Sequence, residues 1–253
     1  MQDPTRRFSD RVENYVRYRP DYPRPVLDTL EAECGLNASS VVADIGSGTG
    51  ILSEQLLSRG AEVFAVEPNR EMRSAAEERL RGRARFHSIE GTAERTTLAA
   101  GGFDLATAAQ AFHWFEPAAA RAEFRRILKP EGFAVLIWND RCTDTTPFLV
   151  AYEDLLRDFS TDYLQVDHRR IDAAALDAFF GPSGFSGRSF EHKQEFDYPG
   201  LEGRLLSSSY APGPGHPRHQ PMLAELQRIY QAHQREGRVI FEYRTRVYFG
   251  RMS

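Results

Sequence analysis

From Val41 to Asn139, short apolar runs alternate with stretches in which apolar residues recur every three or four positions. Val41–Ile45 reads as a strand that ends in Gly46-Ser47-Gly48-Thr49-Gly50. Leu52, Leu56 and Leu57 then share one helical face, and Gly60 supplies a stop. Val63–Glu67 predicts a second strand, and Met72, Ala76 and Leu80 a second helix. Arg85–Ile89 is a weaker strand and Phe103–Ala108 a fourth. Ala120, Phe124, Ile127 and Leu128 mark the next helix, with Pro117 in its first turn. Lys129-Pro130-Glu131-Gly132 reads as a turn into Phe133–Trp138, the most continuously apolar strand. Strands alternating with helices predict an α/β fold, a mostly parallel sheet with helices on both faces.

The rhythm differs on either side of this block. Phe8 to Tyr18 predicts a helical arm, broken at Arg19-Pro20-Asp21-Tyr22-Pro23 because each proline pushes the preceding residue out of the α region. Val26–Ala32 reads as a short helix. Beyond Asn139, Phe148, Tyr152, Leu155 and Phe159 mark an amphipathic helix, and Asp172 is placed to cap another that ends near Gly181-Pro182. Phe185–Tyr198 reads as extended, Leu201–Ser209 as a short helix, and Leu223, Leu226 and Tyr230 as the start of a further one. Val239, Phe241, Tyr243, Val247 and Phe249 alternate with Glu242, Arg244 and Arg246, a period-two strand at the C-terminus. With no linker and no internal repeat, residues 1–253 read as one domain. It divides into an arm (1–37), a ligand-binding core (38–140) and a C-terminal part (141–253) that completes the sheet and the acceptor pocket.

Composition narrows the class. Apolar residues make up 41% and charged residues 27%, the balance of a soluble globular protein. A formal net charge of -4 argues against a dedicated nucleic-acid binder. No apolar run approaches a membrane span, and the first residues lack the apolar stretch of a secretory signal, so the expected location is the cytoplasm. Cys34 and Cys142 are far apart and form no CxxC, so neither a metal site nor a disulfide framework is expected.

The strongest chemical signal is Asp44-Ile45-Gly46-Ser47-Gly48-Thr49-Gly50. Glycines at a strand end let a ligand approach backbone N–H groups that side chains would otherwise screen. Glu67 ends the next strand, about twenty residues on, where a carboxylate can accept hydrogen bonds from both hydroxyls of a ribose. The ligand is then a dinucleotide or S-adenosylmethionine. The dinucleotide spacing is G-x-G-x-x-G, whereas this chain has G-x-G-x-G with Asp44 two residues before the first glycine. A carboxylate there would repel a pyrophosphate and attract the amino group of a methionine moiety, which favours the sulfonium cofactor.

These residues also carry a family likeness. Val41–Gly50, Glu67-Pro68-Asn69, Gly91-Thr92-Ala93-Glu94, Phe103-Asp104-Leu105 and Leu128-Lys129-Pro130-Glu131-Gly132 resemble the successive motifs of class I S-adenosylmethionine-dependent methyltransferases. The likeness is greatest to the small-molecule branch of ubiquinone-type C-methylases and trans-aconitate O-methylases. It implies a Rossmann-like, seven-stranded, mostly parallel sheet with an antiparallel C-terminal strand. It further implies that Gly46 and Gly48 touch the methionine part of the cofactor through backbone, that Glu67 holds the ribose, and that Pro68 and Met72 lie against the adenine. Ala93 and Glu94 would flank the adenine edge, and Gln110 would lie near the methionine amino group. Tyr15-Val16-Arg17-Tyr18-Arg19-Pro20-Asp21-Tyr22-Pro23 resembles a segment that folds over the cofactor in relatives, with Arg19 on the methionine carboxylate. His168-Arg169-Arg170 reads as a solvated face.

Gln110-Ala111-Phe112-His113-Trp114-Phe115 places three aromatics and a histidine directly after the fourth strand. Aromatic faces stabilise a cation and exclude water. Tyr15, His113 and Trp114 are therefore expected on the acceptor side, with His113 the candidate general base if the acceptor must lose a proton. The expected reaction is methyl transfer to a small molecule, as O-methylation of a carboxylate or hydroxyl. No nucleic-acid, membrane or metal partner is expected. The alternatives carry weaker support. An NAD-dependent oxidoreductase would need the other glycine spacing. A nucleic-acid methylase commonly carries Asn/Asp-Pro-Pro-Tyr/Phe where this chain has Gln-Ala-Phe-His-Trp. A cofactor-binding protein without activity would keep the same glycine turn.

Overall fold

The structure is a computed structural model that describes residues 12–163 and 173–252. Seven strands form one sheet: β1 (Val41–Ile45), β2 (Glu62–Val66), β3 (Phe86–Ile89), β4 (Phe103–Ala109), β5 (Leu128–Arg141), β6 (Ser186–Phe196) and β7 (Val239–Arg251). Their order is β3-β2-β1-β4-β5-β7-β6. The β1–β2, β2–β3, β1–β4 and β4–β5 pairs are parallel, while β7 runs antiparallel to both β5 and β6. This is the expected sheet with its antiparallel C-terminal strand. Strand order reverses at β1, so the crevice beyond the carboxyl ends of β1 and β4 is where a ligand of such a sheet sits.

Nine α-helices are described: α1 (Val12–Tyr18), α2 (Arg24–Cys34), α3 (Ile51–Ser58), α4 (Arg70–Arg79), α5 (Pro117–Ile127), α6 (Pro147–Phe159), α7 (Ala173–Phe180), α8 (Tyr198–Leu206) and α9 (His219–His233). Local chemistry explains several starts. Pro25, Pro117, Pro147 and Pro199 sit in the first turns of α2, α5, α6 and α8, where a missing N–H costs nothing. Asn69, Glu116, Thr146 and Asp197 accept hydrogen bonds from the first free N–H groups of their helices.

The buried strands separate two apolar clusters. One packs Phe124 and Ile127 of α5 and Phe179 and Phe180 of α7 against the sheet. The other joins Leu27 and Leu30 of α2 and Leu52 and Leu56 of α3 to Val42, Val63 and Val135. A third cluster, built on Tyr152, Leu226 and Phe241, joins α6, α8 and α9 to the first half of β7. Both cysteines are free, Cys34 buried and Cys142 partly so. Among the described residues no helix is long and apolar enough to cross a membrane, and no cluster of metal-ligating side chains occurs.

One expected boundary moves. Lys129–Gly132 is no separate turn but an irregular part of β5, where pairing passes from Phe103↔Leu128 to Leu105↔Phe133. Leu128 is buried and holds the strand start in place, while Pro130, which has no N–H to donate, falls in the widened stretch. The arm helix is described over Val12–Tyr18, within its expected span. Phe8–Arg11, His168-Arg169-Arg170 and Asp172 lie outside the described residues.

Candidate active site

A cavity of about 200 Å³ opens at the carboxyl ends of β1, β2 and β4. Its floor is the glycine turn. Gly46 has φ +68°, and a Cβ there would come within 2.6 Å of the Ala111 Cβ, so the turn can meet the loop after β4 only without a side chain. Gly48 has φ +57°, and a Cβ there would meet nothing within 4 Å. The first glycine is thus fixed by close packing, the second by backbone conformation facing open space.

Two carboxylates border this floor. Asp44 is almost fully buried, with one oxygen accepting from Ser53 Oγ at 2.6 Å and the other from Thr107 Oγ1 at 3.0 Å. Burial pushes its pKa up to about 6, against the two hydroxyls, which favour the ionised form. Glu67 accepts from the Gly48 N–H at 3.0 Å and the Asn69 N–H at 2.8 Å. Burial raises its pKa too, with those two N–H groups acting in the opposite direction. One carboxylate therefore couples β2 directly to the glycine turn on β1.

Pro68, Met72 and Ala93 supply an apolar wall beside Glu67. Glu94 also lines the cavity, and its Oε1 accepts from the Glu116 N–H at 2.9 Å, so it helps hold the start of α5. Gln110 has φ +54°, unusual for a residue with a side chain. Its Nε2 donates to the Asn139 carbonyl at 3.2 Å, while its buried Oε1 has no hydrogen-bond partner. Thr49 Oγ1, also buried, has none either. Both residues line one cavity, which brings an unpaired amide oxygen and an unpaired hydroxyl close to any ligand held there.

Tyr15 and Trp114 line the same cavity. Arg19 and His113 do not. The Arg19 guanidinium lies 4.8 Å from the Tyr15 ring centroid, and its Nη2 donates to the Ser207 carbonyl at 3.0 Å. His113 is half-buried and packs on Trp114 with ring centroids 4.8 Å apart. Tyr22 and Phe115 line the cavity without having been singled out. Tyr22 sits in the Arg-Pro-Asp-Tyr-Pro stretch, so the signal was present. Its backbone N–H and carbonyl pair with the Gln55 side chain at 3.2 and 2.6 Å. Ser53 and Thr107, which hold Asp44, carry no pattern readable in the sequence. Among the described residues that line the cavity, none lies after Phe115.

Comparison with known proteins agrees with this geometry. The sequence profile of a methyltransferase-domain family matches residues 43–136. An uncharacterized methyltransferase of Geobacillus kaustophilus is 30% identical over 178 residues, which cover 68% of this chain and 78% of that protein. One of Mycobacterium tuberculosis is 37% identical over 140 residues, 55% of each chain, so the match spans just over half of that relative's length. A candidate type II methyltransferase of Anaeromyxobacter dehalogenans superposes with a TM-score of 0.67 at 22% identity, covering 93% of this chain and 98% of that one. The fold is therefore the Rossmann-like class I methyltransferase fold. The chain belongs to the methyltransferase family.

Proposed function

We propose that this chain transfers the methyl group of S-adenosylmethionine to a small-molecule acceptor, at a carboxylate or hydroxyl oxygen. The observation that carries the reading is the pairing of Glu67 with the Gly48 N–H across a cavity whose lining leaves Gln110 Oε1 and Thr49 Oγ1 unsatisfied. This donor set suits the cofactor part by part. Glu67 has acceptor capacity for a ribose diol. Pro68, Met72 and Ala93 offer an apolar slot for adenine, with Glu94 at its edge. Asp44, Gln110 and the backbone at Gly46 and Gly48 suit the amino end of the methionine moiety.

When bound, S-adenosylmethionine supplies a methyl group carried on a cationic sulfonium sulfur. The chain's own contribution is mainly placement, which lowers the entropic barrier to an in-line approach. Tyr15, Trp114 and Phe115 wall the cavity with aromatic faces, which exclude water and favour a cation beside them. His113 packs on Trp114 with the two rings tilted by 44° and so supports that wall. A carboxylate acceptor needs no base. A hydroxyl acceptor must pass its proton to a nearby group or to water.

Calorimetry tests the reading. Micromolar binding of S-adenosylmethionine and S-adenosylhomocysteine is expected, with none comparable for NAD, and Glu67→Ala should weaken it by roughly 1.5–3 kcal/mol, the scale of charged hydrogen bonds. Tight NAD binding without adenosylmethionine binding would overturn it.

A further inference from the structure

Three arginines converge beside the arm, outside the cofactor cavity. Arg204 of α8 is only 7% exposed. Its Nε lies 3.4 Å from Tyr243 Oη and its Nη1 3.3 Å from Ser208 Oγ, both long contacts to neutral acceptors. Arg19 reaches the carbonyl of the adjacent Ser207, and its buried Nε has no hydrogen-bond partner. Arg141, at the end of β5, stacks over the Tyr152 ring at 5.0 Å and donates from Nη2 to Glu153 at 2.6 Å. Burial, then the neighbouring Arg204 charge, pull the Arg19 pKa below its ordinary value.

Among the described residues the charge in this cluster does not balance. Glu153 is its carboxylate, and its oxygens already meet Arg141, the Tyr163 hydroxyl at 2.8 Å and the more exposed Arg157 at 3.5 Å. Among the described residues neither Arg19 nor Arg204 has an acidic partner. A buried unpaired cation carries a desolvation cost of several kcal/mol. Aromatic faces offset part of that cost, and an arriving anion would offset more. A guanidinium offers a planar fork that matches carboxylate or phosphate oxygens two at a time. The cluster also borders the cofactor cavity, because Tyr15 both lines that cavity and carries Arg19 on its ring.

We propose that Arg19, Arg141 and Arg204 form the seat for an anionic group of the methyl acceptor, a carboxylate or a phosphate. The inference rests on the reading of the neighbouring cavity as the cofactor site. It selects acidic acceptors over amines, which these guanidiniums repel. It also places the acceptor between the arm and the C-terminal part of the chain, with Tyr15 at the junction.

The test is calorimetric titration of the full chain, saturated with S-adenosylhomocysteine, at fixed ionic strength. The titrants are citrate, succinate, inorganic phosphate and glycerol 3-phosphate, with putrescine and glycerol as comparators. Binding of the carboxylates or of the phosphates, and of neither comparator, is the expected result, and the class that binds identifies the group. Arg204→Gln should weaken that binding roughly tenfold or more, while Arg204→Lys should retain part of it. Unchanged S-adenosylhomocysteine affinity in Arg204→Gln would show that the fold survives. Among the described residues Arg204 has no acid to leave orphaned, which favours that survival. The proposal fails if none of the four anions binds to the wild-type chain, if putrescine binds as well as they do, or if a folded Arg204→Gln binds them undiminished. A chain that takes up an anion but no S-adenosylhomocysteine, titrated separately, would instead overturn the cofactor reading and leave the anion seat standing.

Discussion

Gly46 and Ala111 approach so closely that a methyl group on the first would sit 2.6 Å from the Cβ of the second. Two loops from different strands are thereby locked together on the lining of the cavity, one ending β1 and the other following β4. The neighbouring glycine is under no such crowding, and the contrast gives a sharp comparison.

Gly46→Ala must both leave its left-handed conformation and push the β4 loop away, for a destabilisation of roughly 2–4 kcal/mol. Gly48→Ala meets no atom and should cost only about 1–2 kcal/mol from backbone strain. Its new methyl group faces the open space of the cavity, so cofactor affinity should fall more than stability does. Urea unfolding beside calorimetry on both variants checks this. Equal loss of stability in the two would remove the distinction.

Asp44 makes stability depend on pH. Its pKa rises from an ordinary 3.8 to about 6 in the fold, so between those values the native state holds more proton than the unfolded chain. Stability from this group is therefore complete below the lower value and is lost as pH climbs toward the upper, by up to about 3 kcal/mol. Asp44→Asn should flatten that part of the profile in unfolding curves taken from pH 4 to 8. A bound amino group favours the ionised acid, so wild-type affinity for S-adenosylhomocysteine should tighten from pH 5 to 7. A pH-independent affinity would argue that the amino group does not lie near Asp44.

His113 is not on the cavity lining and packs on Trp114, which is. His113→Gln should raise the acceptor KM while leaving the pH profile of kcat in place. A general base in that position would instead show a loss of about 10²–10⁴ in turnover with a changed profile. Steady-state assays across pH, once an acceptor is in hand, separate the two.

Tyr18 anchors the arm. Its ring lies so close to Gly203 of α8 that no side chain fits there, and the Asn139 amide donates to the Asp21 carbonyl a few residues on at 2.9 Å. Tyr18→Ala should free α1 and speed trypsin cleavage after Arg17, and S-adenosylhomocysteine should slow it in the wild type. Cleavage at one rate in all three samples would show that the arm is held elsewhere.

The sheet and the glycine turn were legible because period, apolar runs and glycine spacing are local properties of the chain. The end of the second strand pointed to Glu67, and the family resemblance pointed to Met72 and Gln110; all three line the cavity. The surroundings of Asp44 were not legible, since Ser53 and Thr107 reach it from a helix and a strand that meet only on folding. The places of Arg19 and His113 escaped for the same reason. Arg19 turns toward Ser207, 188 residues away in sequence, and no local pattern reports such a contact. The irregularity at Lys129–Gly132 looked like a turn because Pro and Gly signal turns and strand bulges alike.

The outermost strands have a consequence for how copies of this chain behave together. β3, at one margin of the sheet, is only four residues long. β6, at the other, is eleven, long enough to template pairing with a second molecule. Its sequence carries Arg188, Glu191, Lys193 and Glu195, so a second copy laid alongside it in parallel and in register would set like charges opposite one another. The long margin is thereby protected against parallel in-register β-pairing by its own charges, and replacing these four residues with Thr or Val should promote aggregation.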